Sequence, residues 1–157
     1  KAKGVNLKIK QPNGWQIKEG DRPNIVKKFV YQNNSYMIMV KDNYTFVSRN
    51  EAKELLTDDK YLSELVSEAS SALKNSEILN QRIVTIDKYP TLEITIKGEI
   101  ERSGIKLKMI MKSWIIYYED KFVFLQCGGV DDKEFDALEG LYNLITNSVI
   151  FPEQYNY

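Results

Sequence analysis

Cys127-Gly128-Gly129 sets the chain's single thiol beside two glycines, where a nucleophile on a turn could have backbone donors nearby. The chain contains no histidine, so such a thiol would need a lysine or a helix N-terminus to activate it. The helix that begins near Asp132 is close in sequence. The competing reading is a small buried cysteine at a strand end, which needs no activation. The missing histidine also removes Ser-His-Asp and Cys-His catalysis and most zinc or non-haem iron sites. One cysteine leaves no internal disulfide and no multi-cysteine metal site.

Three other groups offer chemistry. Asp131, Asp132, Glu134 and Asp136 could hold a hard cation through oxygen. They lack the spacing and glycine of a calcium loop, and carboxylates are also what a helix N-terminus prefers. Glu93, Glu99 and Glu101 with Lys106, Lys108 and Lys112 could present a charged surface to a partner, or could be a solvated sheet face. Nothing supports a glycosidase-type carboxylate pair among them. Trp15, Arg22, Tyr31 and Tyr36 combine aromatic residues with an arginine, the usual anchors of a binding surface. The alternative is that Trp15 is core and Arg22 merely solvated. Phosphate loops and nucleotide fingerprints are absent. Asn33 and Asn43 stand in glycosylation sequons, which matter only in a eukaryotic secretory source. The inventory points away from an enzyme, and no cofactor or metal is expected.

Composition sets the class. A chain of 157 residues suits one domain, residues 1–157, and at that length roughly 68–70% of the unfolded surface is buried. Twenty-two basic and 22 acidic residues cancel, so no field draws in nucleic acid. No stretch approaches the ~18 apolar residues of a membrane helix. The chain starts at Lys1 rather than a methionine. The expectation is an exported protein, periplasmic or a lipoprotein, with a signal segment or lipid anchor lost upstream; a cytoplasmic location stays open.

The positioning elements follow from periodicity. Residues 92–97 alternate apolar and polar, and residues 105–112 largely repeat the pattern after Ser103-Gly104. A two-residue loop there fixes the register, placing Ile100 opposite Leu107, Ile96 opposite Met111, Glu101 opposite Lys106 and Glu99 opposite Lys108. Past Ser113 the polar face turns apolar at Trp114, Ile116 and Tyr118, so it passes under a helix. Glu119-Asp120 turns the chain into a further strand at residues 122–125.

Upstream, residues 4–10 alternate as a first strand and Gln11-Pro12-Asn13-Gly14 ends it. Residues 25–31 and 36–40 are apolar on both faces and belong centrally. If these strands pair, the N-terminal turn and the loop of residues 20–23 lie near each other. Ser48 and Glu51 form a capping box before two helical segments, or one kinked helix, over residues 49–74. Residues 78–86 read as another strand. Asp131 and Glu134 form a second capping box before a C-terminal helix, Phe151-Pro152 ends it, and residues 152–157 are expected to be a mobile tail. The fold class is α+β: an α/β/α sandwich with a mainly antiparallel six- or seven-stranded sheet and helices on both faces.

These landmarks resemble a family. Pro12-Asn13-Gly14-Trp15, the Glu19-Gly20-Asp21-Arg22-Pro23 turn and the ending Asn147-Ser148-Val149-Ile150-Phe151, in this order of elements, are similar to the PsbP-like superfamily. It includes the photosystem extrinsic subunit, the Mog-type Ran-release factors and many exported bacterial domains. The resemblance implies the sandwich described above and members that bind or assemble. The photosystem subunit's histidine-dependent features have no counterpart here. The expected function is a non-catalytic binding or accessory domain, exported in a bacterium and docking on a protein or membrane-associated assembly. The alternative is a small-molecule or lipid-tail binding module with a groove lined by Trp114, Tyr117 and Phe124.

Overall fold

A computed structural model describes residues 5–20 and 24–155 of the chain. The strands are β1 Gln16–Glu19, β2 Ile25–Tyr31, β3 Asn34–Val47, β4 Lys74–Ile86, β5 Tyr89–Arg102 and β6 Ile105–Val130. The helices are α1 Arg49–Leu55, α2 Asp59–Ser70 and α3 Lys133–Asn147, followed by a 3-10 turn at Pro152–Tyr155. All strand pairs are antiparallel, in the order β1-β2-β3-β6-β5-β4.

The β5–β6 register is the one the alternation predicts: Ile96↔Met111, Glu99↔Lys108, Ile100↔Leu107 and Glu101↔Lys106. Ser103 and Gly104 both take positive φ, 52° and 78°, as a two-residue hairpin turn of matching twist requires. β6 doubles back at Glu119-Asp120. Its first arm pairs with β5 and its second with β3. Between the arms, Asp131 N donates to Lys108 O at 2.9 Å and Gln126 Nε2 donates to Ser113 Oγ at 3.2 Å.

Helices cover both faces. On one, α3 packs Phe135, Tyr142 and Ile145 against Tyr36, Trp114, Ile116 and Leu125. On the other, Ala52 of α1, its C-cap Leu56 and Leu65 of α2 meet Leu92, Ile115, Tyr117 and Phe124. The break between the two helices is a cap: Asp58 accepts from Tyr61 N at 3.0 Å, so α2 starts afresh. Ser48 caps α1 by accepting from Glu51 N at 3.1 Å.

Several sequence expectations change. Residues 5–10 form no strand of the sheet; they cross the α3 face, where Lys8 bridges Ile150. Alternation reports one-sided burial, which a segment lying across a sheet satisfies as well as a strand within it. The α3 cap is Asp132 rather than Asp131, accepting from Glu134 N at 2.9 Å. The segment Pro152–Tyr155 is held rather than loose, by hydrogen bonds from Phe151 N and Gln154 Nε2 to Asp87 Oδ2 at 2.7 Å each; residues 156–157 lie outside the described part.

Gly98 marks a close crossing of β5 under the segment that leads into β4. A Cβ there would stand 2.7 Å from Leu73 Cβ and 2.9 Å from the Lys74 carbonyl oxygen. Gly98→Ala is expected to destabilise the fold by roughly 1–3 kcal/mol, read as a lower urea midpoint, because backbone must shift to admit the methyl.

Candidate functional site

Three of the four residues expected to form a binding surface, Trp15, Tyr31 and Tyr36, are described, and these three do not share an exposed surface. Trp15 and Tyr36 are core residues, whereas Tyr31 is 40% exposed and stacked on Trp15 at 5.6 Å. Tyr36 shares a 2.6 Å hydrogen bond with Thr146 Oγ1, and burial pushes its phenol pKa up. Arg22 lies outside the described residues. The residues flanking it, Gly20 and Asn24, stand at the far end of β1 and β2 from Trp15 and Tyr31, because β1 pairs antiparallel with β2.

The chemical candidates resolve similarly. Cys127 is buried, 3.6 Å from the Lys112 carbonyl oxygen, with its thiol pushed up by burial. Among the described residues no three His, Cys, Asp or Glu side chains group so as to hold a metal ion. Glu93 and Lys112 are not a solvated face: both are buried on the α3 side. Glu93 accepts from Arg82 Nε at 2.7 Å and from Trp114 Nε1 at 2.8 Å, and Lys112 Nζ lies 3.5 Å from Glu139 Oε2. The solvent-to-core change thus begins one register step before Ser113. Trp114 and Tyr117 project to opposite faces and are fully buried, so the groove expected between them and Phe124 does not exist.

Two surface features remain. The first is an aromatic knob that sequence reading missed. β3 follows β6 down to Asp42↔Lys121 and rejoins it at Val47↔Glu119, so residues 43–46 bulge out. Tyr44 is 91% exposed and Phe46 63%. Both feet are fixed: Asp42 is ion-paired with Lys121, and Val47 is in the core just before the Ser48 cap. Tyr44 sits at φ +59°, a left-handed conformation costly for a bulky side chain. The alternation of Tyr44 and Phe46 looks like any half-buried strand, and nothing local says that no layer covers it.

The second is a half-open cleft of about 490 Å³ on the α3 side of β1–β3. α3 does not reach this edge of the sheet, and residues 5–11 roof it instead. Leu7, Ile9, Ile17, Val26, Phe29 and Val40 supply the apolar lining, with Lys8 and Lys27 among the polar residues.

No protein-family model matches the chain, and no curated protein does. Solved structures do. Cyanobacterial PsbP (CyanoP) from Synechocystis sp. PCC 6803 superposes with TM-score 0.56 at 12% identity, over 94% of this chain and 93% of its own. LpqN of Mycobacterium tuberculosis, described as involved in cell envelope biogenesis, gives 0.57 at 14% identity, over 92% of this chain and 82% of its own. The Saccharomyces cerevisiae Ran-binding protein Mog1p gives 0.50 at 10% identity, over 94% and 96%. At these identities the likeness is one of fold, and the fold of this chain is the PsbP-like, Mog-type fold.

Proposed function

We propose that this chain is a non-catalytic, exported binding domain that docks on a protein partner through Tyr44 and Phe46. The observation that carries the reading is the knob itself: two large aromatic side chains in water, on a backbone bulge anchored at both feet and strained at Tyr44. Strain and exposed aromatic area both cost stability in the free protein, and a partner that buries the rings recovers it. The absence of histidine and the buried thiol support a non-catalytic role. Among proteins of this fold, Mog1p binds Ran and LpqN acts in envelope biogenesis, which support docking and export respectively.

A photo-crosslinking residue placed at position 43 tests this, with capture from envelope and cytosolic fractions of the source. An adduct lost in Tyr44→Ser/Phe46→Ser but kept in Tyr31→Ser supports docking through the knob. An adduct kept by the double variant moves the site, and no adduct from either fraction defeats the docking reading.

Tyr44→Gly separates strain from fold. It is expected to raise stability by roughly 0.5–1 kcal/mol, since left-handed strain outweighs the added chain entropy of glycine. Urea unfolding would show a higher midpoint while crosslinking is lost; a lower midpoint would mean Tyr44 packs usefully in the free protein.

A further inference from the structure

We propose that the cleft between residues 5–11 and the β1–β3 edge binds one anionic single-chain amphiphile, with the alkyl chain on the apolar floor and the headgroup against Lys8 and Lys27. This stands on different residues from the aromatic knob and does not depend on it.

The cleft exists because the sheet is wider than its helix. α3 covers the middle of its face, and among the described residues those above the outer strands are residues 5–11. That roof is tied to the segment after α3, where Lys8 N donates to Ile150 O at 2.8 Å, Ile150 N to Lys8 O at 2.9 Å and Lys10 N to Ser148 Oγ at 2.9 Å, and Gln11 Nε2 donates to the Trp15 carbonyl oxygen at 2.8 Å. The cleft is half-open, with Ile17 of β1 at its edge. At about 490 Å³ it has room for roughly 16 water molecules at liquid density, within the range of small-molecule sites. Phe29, Ile38 and Val40 form the floor, and Ile17, 47% exposed, forms a lip that water would otherwise wet.

Charge selects the headgroup. Lys8 and Lys27 both line the cleft, and among the described residues no Asp or Glu does. Neither lysine is in an ion pair with a described residue. Glu19 is the ladder partner of Lys27 but does not line the cleft. A neutral or cationic amphiphile would leave both ammonium groups unanswered, whereas a carboxylate, sulfate or phosphate answers them.

Calorimetric titration of delipidated protein with octanoate, decanoate and dodecanoate, below their micellar concentrations, provides the test. The expected result is one site per chain, with affinity rising about three- to four-fold per methylene until the cleft is full. Dodecanol should bind about ten-fold more weakly than dodecanoate, and dodecyltrimethylammonium more weakly still. Lys8→Gln/Lys27→Gln should bring dodecanoate down to dodecanol. Ile17→Glu, at an exposed lip position that leaves the core intact, should abolish dodecanoate binding, and Tyr44→Ser/Phe46→Ser should not affect it. No binding, equal affinity for dodecanoate and dodecanol, preference for the cation, or uptake of many molecules per chain without a limit would each overturn the proposal.

Discussion

Glu93→Ala is expected to lower stability by about 3 kcal/mol, because it leaves a buried indole N–H without an acceptor. Glu93 is buried where β5 faces Trp114 across the ladder, and its two carboxylate oxygens are shared out. One takes the Arg82 Nε bond at 2.7 Å and the other the Trp114 Nε1 bond at 2.8 Å. The Arg82 side is well exposed and contributes little after solvent screening. The Trp114 side is dry, so an unmade bond there costs roughly 1–3 kcal/mol, to which the emptied side-chain volume adds. Glu93→Gln keeps the volume and one acceptor and should lose about half as much.

The same carboxyl gives a pH signature. Burial, the largest single influence, pushes its pKa up; the hydrogen bonds from Arg82 and Trp114 and the charge of Lys112 together outweigh burial and hold it below its ordinary 4.5. A carboxyl whose pKa is lower folded than unfolded favours folding above the unfolded value, and that stability is lost as pH falls through the folded value. The stability gap between wild type and Glu93→Gln, read from urea midpoints, should therefore be widest near neutrality and shrink below pH about 4.5. A gap that widens on acidification would mean the carboxyl is held above its ordinary value instead.

Asp87→Ala is the second large effect, at roughly 2–3 kcal/mol. Asp87 and Lys88 form the β4–β5 turn with φ of 43° and 76°, a conformation aspartate tolerates better than alanine. The Asp87 carboxylate also clamps the chain's end, accepting from Phe151 N and Gln154 Nε2 at 2.7 Å each and from the Tyr155 hydroxyl. That clamp keeps Phe151 stacked on Tyr118 at 4.5 Å and edge-on to Tyr89 at 5.0 Å. Amide exchange at Phe151 should accelerate with the loss of stability, and proteases should nick residues 152–155. Asp87→Asn keeps the turn preference and should fall between the two. Unchanged exchange at Phe151 in the alanine variant would show that the aromatic stack alone holds the segment.

Docking and amphiphile binding fail separately. The knob is at the β3 end beside the β6 turn, and the cleft is on the α3 side under residues 5–11. Loss of crosslinking with intact dodecanoate binding would leave the cleft standing, and the reverse would leave the knob.

The sequence by itself determined whatever depends on near neighbours or on pairing across a short loop. It specified the β5–β6 register, because both faces must match at once and a slip of one residue exchanges them. It specified the Ser48 cap, the helical stretch behind it and the burial of Trp114, Ile116 and Tyr118, because capping and periodicity are local, but it left open whether that stretch is two helices or one kinked helix. Tertiary structure alone decided what each face meets. Residues 5–10 lie across the sheet rather than in it, although their alternation suits either place. Trp15 and Tyr36 went inside while Tyr44 and Phe46 stayed out, although all four are aromatic residues in or beside strands. The polar-looking Glu93 and Lys112 were buried because α3 lies over them and supplies Glu139. A side chain's period says that it shares a face with its neighbours. Whether that face meets a helix, a roof or water depends on the length and path of elements far away in the chain.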